Sequence, residues 1–286
     1  MSAPLLKVRN LTVEYTRDER IFTAVNDVGF ELAQGECLAI VGESGCGKST
    51  IALAIIGLLP KNESRVPKGE ILYDGKDLLK NTETDWQRTR GRRIAMVFQD
   101  PFSSLNPVLT IGYQLEECFL SSWNISIQDP RQGIGPGLRH SRARALLTNV
   151  QLSDPERILR SYPHQLSGGQ RQRVMVAMAL AQNPDLLIAD EPTTALDVTV
   201  QDEIIKLLKS IRLATRMAMI FVTHNLGLVK NIADQVAVMR NGVIVETGDT
   251  AKILSTPTHP YALGLLRCMP TLHRSKGPLP TLEEAL

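Results

Sequence analysis

The sequence has 286 residues, of which 43% are hydrophobic and 22% are charged, and its formal net charge is +2. These proportions are typical of a globular protein and exclude the disordered class. The small net charge excludes a strongly basic nucleic-acid-binding protein, although a local basic patch would not alter the sum. No apolar run approaches the length of about eighteen residues that a membrane span needs, and the four cysteines have no paired spacing. We therefore expect a cytosolic chain with reduced thiols.

The first third of the chain predicts β-strands joined by tight turns. Residues 8–15 and 25–32 are rich in β-favouring side chains, and residues 37–41 form a short, wholly apolar run. Such a run is typical of a strand buried on both faces. Asp-Gly at 74–75 and Asn-Gly at 241–242 are hairpin signals, so we expect the strands on either side of each turn to pair.

Along the rest of the chain, the pattern of hydrophobic residues changes twice. Residues 105–180 have a helical pattern, interrupted at residues 121–141 by a segment rich in Ser, Gly and Pro that we predict to be a surface loop. Strand and helix patterns then alternate, which favours a parallel sheet with helical crossovers. The elements predicted there are strands at 186–189 and 218–222 and helices at 198–214 and 226–233.

The strongest local motif lies directly after the apolar strand at 37–41. It matches the P-loop pattern G-x-x-x-x-G-K-[ST], and a helix-forming run follows it. Backbone N–H groups of such a loop surround phosphate oxygens, the lysine supplies a positive charge, and the serine hydroxyl can ligate Mg²⁺. We predict nucleotide binding by the residues of this motif, Gly42, Glu43, Ser44, Gly45, Cys46, Gly47, Lys48, Ser49 and Thr50.

A second motif ends the apolar run at residues 186–189 with two acids. Asp190 suits Mg²⁺ coordination in the Walker B role, and Glu191 can polarise an attacking water. Without the P-loop, solvated acids at the end of a strand would be the simpler explanation.

A third motif, Leu-Ser-Gly-Gly-Gln, precedes a helical run. Ser167 and Gln170 have the spacing of a capping box, and Gly168 and Gly169 leave the helix N-terminus open to a close ligand. A capped helix without further function is one interpretation. The other is that this N-terminus binds the γ-phosphate of a nucleotide held by another P-loop domain.

The three motifs in this order resemble the nucleotide-binding subunits of ABC transporters, over about residues 5–270. The resemblance implies an α/β fold with a RecA-like P-loop core, an N-terminal antiparallel β subdomain and an inserted helical subdomain. The expected organisation is an ATPase domain over residues 1–270, with its core at 1–104 and 181–255 and its helical part at about 105–180, and a C-terminal extension at 256–286.

The resemblance also assigns residues that the motifs alone would not reveal. Gln99 matches the Q-loop glutamine, His224 the switch histidine at the γ-phosphate, and Asp197 the D-loop at the dimer interface. Tyr15 matches the aromatic residue that stacks on adenine, although Phe22 lies nearby. Each of these could instead be an ordinary residue at the end of a strand or helix.

The implied mechanism joins two such domains head to tail, with each ATP between one P-loop and the partner's Leu-Ser-Gly-Gly-Gln. Glu191 then activates the water, while Lys48, His224 and Gln99 complete the catalytic set. The expected Mg²⁺ ligands are Ser49, Gln99 and Asp190.

Two further segments resemble the ATPases of bacterial dipeptide, oligopeptide and nickel importers. They are Gln-Asp-Pro-Phe-Ser-Ser-Leu-Asn-Pro at 99–107 and His-Pro-Tyr-Ala at 259–262. The implied partners are a second ATPase subunit, two membrane permeases contacted through residues 99–115, and an extracytoplasmic solute-binding protein, with no nucleic acid. The implied location is the cytoplasmic face of the inner membrane. The alternatives are a nickel or metal-chelate importer and the ATPase of a soluble complex of the carbon–phosphorus lyase type.

Many subunits of this subfamily continue into a cysteine-rich tail that can hold an iron–sulfur cluster. Here Cys268 is the single cysteine near that part of the chain. Because a cluster needs several thiolates, we expect ATP and Mg²⁺ but no iron–sulfur centre.

Overall fold

The computed structural model describes residues 3–18, 20–100, 104–120, 135–194 and 196–268. The strands of the described residues are Leu6–Arg17 (β1), Arg20–Leu32 (β2), Cys37–Val41 (β3), Ser64–Tyr73 (β4), Lys76–Asp77 (β5), Ile94–Val97 (β6), Leu186–Asp190 (β7), Ala218–Thr223 (β8), Gln235–Arg240 (β9) and Val243–Asp249 (β10). The α-helices are Lys48–Ile56 (α1), Glu83–Thr89 (α2), Ile111–Leu120 (α3), Pro136–Asn149 (α4), Pro155–Arg160 (α5), Gly168–Leu180 (α6), Val198–Thr215 (α7), Leu226–Val229 (α8), Thr250–Ser255 (α9) and Pro260–Arg267 (α10). None of these helices is long and apolar enough to cross a membrane.

The chain folds into two compact units. The first comprises residues 1–82 and 218–286, and the second comprises residues 83–217. These two units are defined by packing. The boundaries expected from the sequence for the ATPase core, its helical part and the C-terminal extension stay a prediction.

The first unit contains two kinds of sheet. An antiparallel sheet has the order β2-β1-β4-β5, and the strands β10-β9-β3-β8 lie side by side in that order. β3 pairs in parallel with both β8 and β9, and all five of its residues are buried. The apolar run at 37–41 is therefore a central strand, as its composition predicts.

The two predicted hairpins of the first unit are confirmed. Tyr73 pairs with Lys76 across Asp74-Gly75, and Arg240 pairs with Val243 across Asn241-Gly242. All four turn residues have positive φ, between 47° and 83°. This conformation matches the right-handed twist of the flanking strands, which is why Asp-Gly and Asn-Gly are favoured in such turns.

The second unit joins a parallel strand pair to helices. β6 and β7 pair in parallel, with Ile94 opposite Leu186. Helices α3 to α6 occupy the part of the sequence with the helical pattern, and the described residues between 104 and 180 contain no strand.

Several predicted boundaries are wrong. The helix expected at 226–233 ends at Val229, and Asn225 caps its start by accepting a hydrogen bond from the Gly227 N–H. The loop expected at 121–141 ends earlier, because α4 begins at Pro136, a residue whose fixed φ suits the first helical turn. The remainder of that loop, residues 121–134, lies outside the described residues.

Candidate active site

The predicted P-loop connects β3 to α1 and is shaped by glycines. Gly45 and Gly47 have φ of +80° and +107°, and Gly47 is the N-cap of α1. A Cβ atom on Gly47 would lie 2.3 Å from the Ala24 carbonyl oxygen, and one on Gly42 would lie 2.1 Å from the Met239 carbonyl oxygen. A Cβ on Gly45 would meet nothing within 4 Å. The loop is therefore packed against the protein at two glycines and open at the third, which fits a cradle for phosphate.

The positively charged ammonium of Lys48 binds this loop. Its side chain is 4% exposed, and the ammonium donates to the carbonyl oxygens of Gly42 at 2.8 Å and Glu43 at 2.7 Å. A buried ammonium needs such partners, since burial without them is costly. The charge thus lies at the start of α1, where the positive end of the helix dipole also favours an anion.

A residue outside the predicted site also contacts the P-loop. The backbone N–H of Glu43 donates to the Tyr261 hydroxyl at 3.3 Å, and Tyr261 is fully buried. The sequence motif around Tyr261 indicates a subfamily, but no local pattern links it to a loop 218 residues away.

His224 lies beside the P-loop within the first unit. The parallel register pairs Val41 with Thr223, so Gly42 and His224 both follow the carboxyl ends of adjacent strands. The His224 side chain is exposed, while Thr223 is buried and accepts a hydrogen bond from the Asn225 N–H. Because ligands of open parallel sheets bind at this edge, the position suits a γ-phosphate contact.

Tyr15 lies at an open cavity of the first unit. It pairs with Phe22 across β1 and β2, and the Phe22 side chain is 61% exposed. The cavity has a volume of about 900 Å³ and is lined by Tyr15, Thr16, Arg17, Asp18, Phe22 and Glu63. Two adjacent aromatic rings there provide a surface on which a base can stack.

The two acids of the second unit follow β7. Asp190 ends the strand and is buried, and Glu191 is 8% exposed. One carboxylate oxygen of Glu191 accepts from the Gln99 amide at 3.0 Å and from the Thr194 hydroxyl at 2.9 Å. Glu191 also has a φ of +44°, a region that non-glycine residues rarely adopt. The carboxylate is thus fixed by two side chains on a strained backbone, an arrangement common in catalytic sites.

The third motif forms the predicted capping box. The Ser167 hydroxyl accepts from the Gln170 N–H at 3.3 Å, and the Gln170 side chain accepts from the Ser167 N–H at 3.1 Å. The glycines between them also pack against the segment that contains Asp197. A Cβ on Gly169 would lie 2.8 Å from a methyl carbon of Val200, and one on Gly168 would lie 3.4 Å from Leu196. Close packing is therefore a reason for glycine at 169, whereas a Cβ at 168 would make an ordinary van der Waals contact.

Asp197 is the N-cap of α7. Its carboxylate accepts from the Val200 N–H at 3.0 Å, and the Gln201 side chain braces the preceding loop by donating to the carbonyls of Thr193 and Leu196. This role within the chain accounts for an aspartate at this position. Its predicted place at a dimer interface stays a prediction.

The predicted site residues therefore form two groups. The first unit brings together the P-loop, His224 and Tyr15, and the second unit brings Gln99 to Glu191 and contains the acids and the capped helix. Within the described residues no group of three His, Cys, Asp or Glu side chains could hold a metal ion.

Comparison with known families gives two matches. The pattern of the ABC transporter family matches residues 25–194. The pattern described as the oligopeptide/dipeptide transporter C-terminal region matches residues 245–286.

Individual proteins agree with these matches. The oligopeptide transport ATP-binding protein OppD of Bacillus subtilis is 46% identical, over 95% of this chain and 73% of its own. A putative peptide import ATP-binding protein of Brucella melitensis is 47% identical, over 100% of this chain and 83% of its own. Among solved structures, the dimeric ATP-binding cassette MJ0796 bound to ADP and Pi has a TM-score of 0.74 and 28% identity, covering 86% of this chain and 98% of that one.

Proposed function

Because the chain belongs to the ABC transporter family of ATPases, we propose that it is the ATP-hydrolysing subunit of a peptide importer. The observation that carries peptide import is the match of residues 245–286 to the oligopeptide/dipeptide transporter C-terminal region. It is supported by relatives whose names specify oligopeptide transport and peptide import.

ATP would be bound first by the glycine-shaped loop. Lys48 neutralises phosphate charge, and the N–H groups at the start of α1 donate hydrogen bonds to the phosphate oxygens. The Lys48 ammonium has three N–H donors, so it can donate to a phosphate oxygen while it keeps its contact with the loop carbonyls. His224 adds a side chain at the γ-phosphate, and Tyr15 stacks on adenine.

Glu191 would orient and deprotonate the attacking water. Gln99 and Thr194 both donate to one oxygen, Oε2, of this carboxylate and so fix its orientation. The protein thereby holds the base in one orientation before the substrate arrives, which lowers the cost of positioning in the transition state. Lys48 stabilises the negative charge that develops on the transferred phosphoryl group.

Mg²⁺ is the metal ion that suits the available donors. Ser49, Asp190 and Gln99 offer a hydroxyl, a buried carboxylate and an amide oxygen, and hard oxygen donors are those that Mg²⁺ prefers. When bound, the ion would neutralise charge on the phosphates.

The capped helix α6 would complete the site of a partner domain. Its N-terminus presents backbone N–H groups behind Ser167, and the side chains of the capping box leave further donors for an anion. We therefore propose a head-to-tail dimer in which each γ-phosphate lies between one P-loop and the other domain's Ser167–Gln170. ATP would close that dimer because the γ-phosphate binds both surfaces only in the closed state.

The partners that follow from this function are a second ATPase subunit, two permeases and an extracytoplasmic solute-binding protein. The chain would lie at the cytoplasmic face of the membrane, held there by the permeases. Residues 99–115 are the proposed permease contact, and residues 101–103 of that segment lie outside the described part of the chain.

Uptake experiments in whole cells test which solute is transported. Cells that lack this gene and cells complemented with it receive labelled dipeptides, labelled oligopeptides or ⁶³Ni²⁺, with Glu191→Gln as the matched control. The proposal expects peptide uptake that returns with the native chain and not with the variant. Restored nickel uptake alone, or growth on phosphonates restored without any uptake phenotype, would reject peptide import.

A further inference from the structure

Tyr261 connects the C-terminal region to the nucleotide-binding loop. The residue belongs to α10, and its ring is packed in a buried cluster with Val41, Leu226 and Val238. Its hydroxyl extends to the P-loop and accepts the Glu43 N–H at 3.3 Å. Burial raises the pKa of Tyr261, so the hydroxyl stays neutral at physiological pH.

The hydrogen bond falls on the peptide unit that also binds Lys48. The carbonyl oxygen of Gly42 and the N–H of Glu43 belong to one planar amide and point in opposite directions. Tyr261 binds the N–H end, and the Lys48 ammonium binds the carbonyl end at 2.8 Å. An amide fixed at its N–H cannot rotate without also moving the carbonyl that places the ammonium.

Tyr261 is itself held from several sides. The Glu246 carboxylate accepts the N–H groups of Thr258 and His259, at 2.8 and 3.0 Å, and also the Thr258 hydroxyl at 2.8 Å. The His259 ring accepts the Tyr261 N–H at 3.1 Å, which caps α10. The Arg240 guanidinium lies 4.9 Å from the centre of the Tyr261 ring. These contacts give the hydroxyl a defined position relative to β9 and β10.

We propose that Tyr261 is a positioning residue for ATP: it fixes the Gly42–Glu43 amide and, through it, the Lys48 ammonium. The His-Pro-Tyr segment then sets the affinity of the P-loop for nucleotide, a role that its match to a transporter C-terminal region does not specify. The alternative is that Tyr261 only fills the core. Tyr261→Phe separates the two, because it keeps the ring and removes the hydroxyl that accepts the Glu43 N–H.

Nucleotide binding to the purified full-length chain tests this proposal. We expect ATP and ADP to bind Tyr261→Phe about three- to tenfold more weakly than the native chain, the range that corresponds to one neutral hydrogen bond. Tyr73→Phe is the matched control, since Tyr73 is also buried in the first unit but lies in β4. Its dissociation constants should equal those of the native chain.

Thermal unfolding distinguishes positioning from packing. A packing defect lowers the melting temperature without nucleotide and leaves the increase caused by a fixed, sub-saturating ATP concentration unchanged. A positioning defect reduces the increase measured at a fixed, sub-saturating ATP concentration. Glu246→Gln provides a second variant that weakens the anchor of His259 without touching the loop, and we expect a smaller reduction in the same direction.

Unchanged dissociation constants in Tyr261→Phe, or equal losses in Tyr261→Phe and Tyr73→Phe, would overturn the proposal. If Tyr261→Phe does not fold, Glu246→Gln decides, and native affinity in that variant would overturn it. The measurement depends on nucleotide binding alone. A protein that binds ATP but transports no peptide would therefore fail the proposed function without affecting this result.

Discussion

The P-loop and the cluster of Glu191, Gln99 and Thr194 are held in position in different ways. The P-loop is shaped by its own glycines and binds its own lysine, since the Lys48 ammonium donates to the carbonyl oxygens of Gly42 and Glu43. Glu191 has an unfavourable backbone conformation and depends on Gln99, 92 residues earlier in the chain. The P-loop is shaped mainly by backbone groups, whereas the Glu191 carboxylate is held by side chains that the fold brings together. Binding should therefore fail when the backbone is disturbed, and hydrolysis should fail when single side chains are changed.

Glu191→Gln should produce the largest effect on turnover. The amide retains an oxygen that can accept from Gln99 but cannot take a proton from water, so we expect kcat for ATP hydrolysis to fall by about 100-fold or more. The dissociation constant for ATP should change less than about threefold. Phosphate release and equilibrium ATP binding on the same preparation measure both quantities. Hydrolysis at the native rate would show that Glu191 is not the base.

Gly42→Ala should affect binding most. The new Cβ would lie 2.1 Å from the backbone carbonyl oxygen of Met239, which cannot move independently of β9. We expect a loss of about 1–3 kcal/mol of unfolding free energy and at least about tenfold weaker ATP binding.

Gly248→Ala is the control for that change, because the nearest atom to its new Cβ would be 3.6 Å away. Denaturant titration and ATP binding should leave this variant close to the native chain. Equal effects of the two substitutions would remove the steric argument for the loop.

Thr194→Val should reduce turnover without reducing affinity. It removes the hydrogen bond that the Thr194 hydroxyl donates to the Glu191 carboxylate while keeping the side-chain shape. We expect kcat to fall about three- to tenfold with KM for ATP unchanged, and Thr194→Ser to restore it. Thr148→Val removes a hydroxyl contact of α4 far from this carboxylate in the sequence and should leave kcat unchanged. A rise in KM with constant kcat would assign Thr194 to binding instead.

Gly169→Ala should have the smallest effect, and a second substitution, Val200→Ala, should reverse most of it. Its Cβ would lie 2.8 Å from a methyl carbon of Val200, a side chain that can shift. We expect a loss of about 1 kcal/mol of unfolding free energy, and we expect Val200→Ala to restore most of it in the double variant. Chemical denaturation of the four proteins of this cycle measures the coupling. Additive losses would mean that the packing of α6 against Val200 does not explain the glycine.

The sequence predicts the P-loop much better than it predicts the contacts of Glu191. The P-loop, its preceding strand and the two hairpins follow from glycine spacing, apolar runs and Asx-Gly turns, which are patterns of neighbouring residues. The capping box of Ser167 and Gln170 has the same local origin. These features are present in the structure where the sequence places them.

Long-range contacts are the part that the sequence does not reveal. Nothing in the pattern around Thr194 or Tyr261 indicates that one hydroxyl binds Glu191 and the other the P-loop. The helix predicted at 226–233 is too long. The apolar pattern continues beyond Val229, the last helical residue, and so does not mark where the helix ends. Periodicity records which side chains are buried, and turns can bury them as well as helices.

The central claim is the proposed function, that this chain hydrolyses ATP to drive peptide import through a membrane complex. The direct test is phosphate release by the chain assembled with the proposed permeases and second ATPase subunit in lipid vesicles. The account predicts that peptide-loaded binding protein raises the rate several-fold over the peptide-free form, and that Glu191→Gln abolishes the increase. A rate that is equal with and without peptide-loaded binding protein would contradict the account.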